Sequence, residues 1–254
     1  PYIQQELNKL NIDERNLTDY AVGYMWGTAG NLYNKEFVTE EEASTWDCLW
    51  NEKYVNKVLM KDSYRDAYGT AIIYANRDKL AAGEVTVDQP MNDNSEEAIN
   101  TAEEYLKAMK PNIAGWEADF GKEMMTKGKA WINFTWSGDA VWAIEEAEAV
   151  GVELDYVVPM EGSNVWFDGW VIPKYAQNIK AASYFINFMC RPDIALRNMD
   201  AIGYVSAVAT PEINEAKIDP EIEEFYDLSY FFGEEADSIH IDPVQYPDRK
   251  VIER

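Results

Sequence analysis

Between residues 130 and 149 the hydrophobic period switches from two to helical with no spacer, and this switch constrains the fold more than any other feature of the chain. Ile132, Phe134 and Trp136 alternate along one side of an extended segment. Ser137-Gly138-Asp139 then offers helix caps, with Asp139 as the leading one, and 140–149 continues as a helix. A strand that turns directly into a helix is the unit from which α/β folds are built.

The same alternation recurs along the chain. Residues 20–28 read as an aromatic strand, 39–50 as a helix with an acidic first turn, 55–60 as a short buried strand, and a helix starts at Ser63. After a loop at 88–93, a helix over 94–109 places Ile99, Ala102, Leu106 and Met109 on one stripe. Strands follow at 155–159 and 165–173, and Ala182, Phe185, Ile186 and Met189 form the stripe of a helix stopped before Pro192. Residues 1–16 read as a short helical piece. The pattern predicts an α/β architecture with mostly parallel sheets and no internal repeat.

In open α/β sheets, ligands collect where strands end and helices begin, and Trp136 falls at such an end. Trp166 and Asp168 are two apart in a strand, so they project from one face and can meet one ligand together. An acid in an aromatic strand is costly without a partner, and an indole beside a carboxylate suits an organic cation. Each residue also has a purely structural reading. Trp136 can close a core strand, Ser63 and Asp66 fit the Ser-x-x-acid pattern of a helix start, and Trp26, Trp46, Trp50, Trp142 and Trp170 read as core or interface aromatics.

A formal charge of −24, from 46 acidic and 22 basic residues, argues against a nucleic-acid partner and favours cations. The lone His240, between Ile239 and Ile241, and the two cysteines, Cys48 and Cys190, lack metal-ligand spacing, so no metal and no cofactor are expected. No Ser/His/Asp arrangement and no phosphate loop is readable, and no catalytic residue is assigned. No apolar run approaches the roughly 20 residues of a membrane span. Tryptophans with carboxylates also describe carbohydrate sites, which keeps sugar binding and, more remotely, a glycoside hydrolase as rival readings.

Five motifs occur in a fixed order: Tyr24-Met25-Trp26-Gly27-Thr28, Asp62-Ser63-Tyr64-Arg65-Asp66, Trp136-Ser137-Gly138-Asp139-Ala140, Trp166-Phe167-Asp168 and Ile202-Gly203-Tyr204. With residues 44–50 and 185–193 between them, the chain resembles the spermidine/putrescine-binding proteins of bacterial polyamine ABC importers. The resemblance implies a two-lobed periplasmic-binding-protein fold of type II that closes on a polyamine, with the N-terminal part of the first lobe absent before Pro1. By this likeness 1–28 and 169–208 are the remnant of the first lobe, and 29–168 and 209–254 form the second. It implies an aromatic box of Trp136, Trp166 and Tyr204, an ammonium contact at Asp168, and polar contacts at Ser63 and Asp66, with Asp62 a candidate if the register slips by one. The family usually has an aspartate where Ser63 falls, which leaves the choice between diamine and longer polyamine open. Further implications are no enzymatic activity, permease subunits as partners, a place at the periplasmic or extracellular face of the cytoplasmic membrane, and membrane contact only through the permease or an anchor outside this chain.

Overall fold

The computed structural model describes residues 11–12, 15–118, 120–208, 210, 213 and 241–243, the backbone alone at 11–16 and 241–243. His240 and most of 209–254 lie outside the described residues. Two compact units emerge, one drawing on Pro1–Gly27 and Trp166–Glu234, the other on Thr28–Val165 and Glu235–Arg254.

Where a helix was expected over 1–16, the described part is an antiparallel pair, β1 (Asn11–Ile12) with β2 (Arg15–Asn16), and the remainder lies outside the described residues. β3 (Val22–Asn34) runs well past the expected end at residue 28. Helix α1 (Glu40–Ala43) starts at a capping box between Thr39 and Glu42 but stops after one turn, short of the expected residue 50. The cause is local: Ser44 Oγ donates back to Glu40 O at 2.7 Å and Thr45 is extended, so the chain resumes only as a 3₁₀ turn at Trp46–Leu49.

The larger unit continues with β4 (Val58–Lys61), α2 (Tyr64–Ala75), α3 (Arg77–Ala81) and α4 (Asp88–Met91), the last a short helix inside the expected loop. Then come α5 (Glu96–Met109), β5 (Ile113–Glu117), α6 (Gly121–Thr126) and β6 (Ile132–Trp136). Helix α7 (Ser137–Glu148) and β7 (Leu154–Val157) follow. β4 pairs parallel with both β5 and β6, but β3 is antiparallel to β6 and β7, so the sheet is mixed rather than mostly parallel. Gly30 lets this crowded strand approach its neighbour, since a Cβ there would lie 2.5 Å from Val157 O.

Burial follows the sequence periods. Ile99, Ala102 and Met109 of α5 are buried, and α5 packs its Ala98, Ile99 and Ala102 on Tyr68, Ala71 and Ile72 of α2. Ile132 and Phe134 enter the main core beside Trp46, which is 0% exposed and donates Nε1–H to Gly162 O at 2.7 Å.

The division between units falls within β3 and within β8 (Ser163–Trp170). The smaller unit holds α8 (Ile179–Met189), α9 (Pro192–Ile202) and β9 (Val205–Ser206), which pairs antiparallel with β3 at Met25 and Trp26. A short strand β10 (Ile241–Pro243), in the larger unit, runs parallel to Ser163–Val165. The apolar stripe expected on α8 exists, but no residue of that helix is buried, and Phe185 packs edge-on against Trp170 at 5.4 Å.

Candidate functional site

In the larger unit, the end of β6 and the start of α2 bring Trp136 and Asp66 together. Ser63 caps α2: its Oγ accepts the Asp66 N–H at 3.4 Å, which sets Asp66 in the first helical turn. The Asp66 carboxylate is buried and points back to the sheet, where Oδ2 accepts Trp136 Nε1–H at 3.1 Å and Oδ1 accepts Asn164 Nδ2–H at 3.0 Å. Asp66 thus orients the indole instead of presenting an open carboxylate. Ser63→Ala is expected to lower stability by about 1 kcal/mol through loss of the cap, read as a lower denaturant midpoint at unchanged slope.

The sequence reading missed Lys61. Its Nζ stands 4.4 Å from the Trp136 ring centroid, 2.6 Å from Asp139 Oδ2, 3.4 Å from Glu117 Oε1 and 3.3 Å from Ala118 O. The Lys61 and Glu117 side chains are each 4% exposed, and Glu117 also accepts the Gly121 N–H at 3.3 Å and Asn133 Nδ2–H at 3.4 Å. The signal was a lysine and a glutamate at the ends of two apolar strands, β4 and β5, positions where an isolated charge is costly once buried. Asp139 does not cap α7, contrary to expectation. That helix starts three residues earlier than expected, with Trp136 as its N-cap, and Asp139 instead pairs with Lys61.

Asp62 and Ser63 face elsewhere. They line a cleft of about 500 Å³ with Tyr64, Tyr68, Leu106 and Trp116, and Trp136 is not part of its wall. Trp142, expected in a core, is 54% exposed and carries Lys122 Nζ over its ring. Trp26 and Trp46 are buried as expected, and Trp50 stacks on Tyr74 at 4.0 Å.

In the smaller unit, Gly203 adopts a left-handed conformation (φ 73°) that ends α9 and turns the chain at Tyr204. Tyr204 meets Trp166 edge-on at 5.0 Å. Trp166 and Asp168 alternate along β8, and Tyr24 of β3 packs on Trp170 at 4.7 Å. Asp168 reaches solvent, yet the protein around it removes enough water to raise its carboxyl above the ordinary aspartate range. Burial and the Asp168 charge together raise the Tyr24 phenol. Among the described residues Asp168 has no ion-pair partner.

Among the described residues no group of histidine, cysteine and carboxylate side chains could hold a metal, and no helix is long and apolar enough to cross a membrane. The described nucleophile candidates are quiet: Cys48 is buried, which pushes its thiol well above the usual range, and Cys190 is free and half-buried.

Residues 2–224 match the family of bacterial extracellular solute-binding proteins. The chain belongs to that family. It is 30% identical over 205 residues to the spermidine/putrescine-binding periplasmic protein of Salmonella typhimurium, covering 80% of this chain and 53% of that protein. It is 28% identical over 219 residues to a putrescine-binding periplasmic protein of Pseudomonas aeruginosa, covering 80% and 56%. The chain therefore spans about half the length of the curated relatives it matches. Among solved structures, the spermidine/putrescine ABC transporter substrate-binding protein of Streptococcus pneumoniae superposes with a TM-score of 0.70 at 29% identity, covering 98% of this chain and 71% of that one. The fold is that of the two-lobed periplasmic binding proteins.

Proposed function

We propose that this chain binds a polyamine, spermidine or putrescine, outside the cytoplasmic membrane and delivers it to the permease subunits of an ABC importer. The observation that carries the reading is Asp168: an accessible carboxylate two residues along an aromatic strand from Trp166, whose ring meets Tyr204, and without an ion-pair partner among the described residues. A ligand ammonium supplies the missing partner, and the aromatic rings supply a wall for the methylene chain. In the larger unit, Trp136 is held by Asp66 and carries the Lys61 ammonium over its face. Relatives that bind spermidine and putrescine, by their names, support the same ligand class.

A binding role fits the carboxylates better than hydrolysis does. Glu117 is tied to Lys61, and Asp66 is tied to two side-chain N–H groups, so neither is poised as the second acid of a glycosidase pair.

Titration calorimetry with putrescine at several pH values tests the reading. An ammonium needs the ionised form of Asp168, and desolvation raises this carboxyl above its ordinary value of 3.8. Affinity is therefore expected to be full at neutral pH and to fall on acidification, beginning at a higher pH than for an ordinary aspartate. Affinity that stays flat through the acid range would remove Asp168 from the contact.

A further inference from the structure

The cleft lined by the start of α2, the later turns of α5 and the end of β5 lies wholly within the larger unit and holds about 500 Å³, a volume that suits a small organic ligand. Its lining is mostly apolar: Tyr68, Ile99 and Ala102 are buried there, and Leu106 is half-buried. Two further rings of the lining, Tyr64 and Trp116, are 48% and 47% exposed, and neither meets another ring among the described residues. Half-exposed rings beside an apolar cavity leave surface in water that a bound apolar group would cover.

Four charged residues also line the cleft, Asp62, Glu103, Lys107 and Lys110, and their charges cancel. Glu103 and Lys107 satisfy each other at 2.7 Å, one helical turn apart on α5. Asp62 and Lys110 are exposed and have no ion-pair partner among the described residues. β4 and β5 pair from Val58 with Ile113 to Lys61 with Glu117, so Asp62 follows one end of this pairing and Lys110 precedes the other. Three strand steps, about 10 Å, separate those ends. The lining thus combines an open anion and an open cation, set apart along the strands, with rings and aliphatic side chains.

We propose that this cleft binds a short apolar peptide with free termini, a second ligand apart from the polyamine. The N-terminal ammonium meets Asp62, the C-terminal carboxylate meets Lys110, and apolar side chains cover Tyr64, Leu106 and Trp116. Three residues of extended chain reach about 10 Å, which matches the separation along the strands. A polyamine suits the cleft less well, because it brings no anion for Lys110 and sets a like charge beside it. A fatty acid leaves Asp62 without a partner.

Calorimetric titration of the purified chain with trileucine, N-acetyl-trileucine and trileucine amide tests the proposal, with Asp62→Asn and Lys110→Gln beside the wild type. Both side chains are exposed and unpaired among the described residues, so the variants are expected to melt as the wild type does. Trileucine is expected to bind the wild type saturably, and blocking either terminus to weaken it at least about tenfold. Asp62→Asn should weaken trileucine by a similar factor yet leave the acetylated peptide unchanged, and Lys110→Gln should do the same for the amide, since each removes a contact already lost. No saturable heat from trileucine with the wild type overturns the proposal. So does equal binding of all three peptides, which would make the cleft a site for uncharged apolar molecules, and so does trileucine affinity that neither variant changes.

Discussion

Lys61→Met is expected to lower the unfolding free energy by ~3–5 kcal/mol at neutral pH, the largest stability loss among the substitutions considered. Glu117 is buried, and without Lys61 its carboxylate keeps only the Gly121 N–H at 3.3 Å and the Asn133 amide at 3.4 Å. Those two long hydrogen bonds do not replace an ammonium in a region of low dielectric. The size of the loss comes from the charge left behind rather than from the attraction removed. Adding Glu117→Gln should therefore recover most of it, because a neutral amide in the same place has little to desolvate. Urea or guanidinium unfolding of the wild type and the single and double variants reads this as a double-mutant cycle. A loss below about 1 kcal/mol in the single variant would mean that Glu117 is solvated or neutral and that the cluster is ornamental.

Asp168→Asn carries the second large effect, on affinity instead of folding. Replacing a carboxylate that accepts from a ligand ammonium is expected to weaken polyamine binding by about 2 kcal/mol, roughly thirtyfold. Stability should move little or slightly upward. The folded-state carboxyl is raised above its unfolded value, so ionised Asp168 opposes folding; that cost is absent at low pH and grows as pH rises through the raised value. Asparagine keeps the shape without the charge. Calorimetric titration with putrescine, together with a thermal melt, separates the two readouts. Equal affinity in the variant would show that the ammonium lies elsewhere, and a large drop in melting temperature would show Asp168 to be a structural group.

Features that depend on neighbours a few residues apart were legible in the sequence. The α5 stripe, the alternation of Ile132, Phe134 and Trp136, and the Ser63 cap all follow from local period and local hydrogen bonding. The one-turn α1 was not, because the Ser44 back-bond to Glu40 competes with helix continuation in a way that apolar periodicity does not register. The antiparallel course of β3 was also hidden, since strand order depends on which distant segments meet: Ala29 pairs with Trp136 and Asn31 with Val157.

The candidate residues show the same division. Trp166, Asp168 and Tyr204 were singled out from motif and alternation, and the Trp166–Tyr204 ring contact joins β8 to the turn after α9. What Asp66 does was not visible, because its partners Trp136 and Asn164 lie 70 and 98 residues away in sequence. Lys61 was overlooked for a related reason. A lysine at a strand end reads as a solvent charge until β5 and α7 are seen to place Glu117 and Asp139 against it.

Polyamine recognition is tested most directly by titrating the purified chain with putrescine and spermidine in parallel with a panel of uncharged oligosaccharides at neutral pH. Saturable heat is expected from at least one of the amines, with about micromolar affinity, weakening as salt is raised, and none from the sugars. Saturable heat from an oligosaccharide with none from either amine would contradict it and turn the tryptophans into sugar platforms.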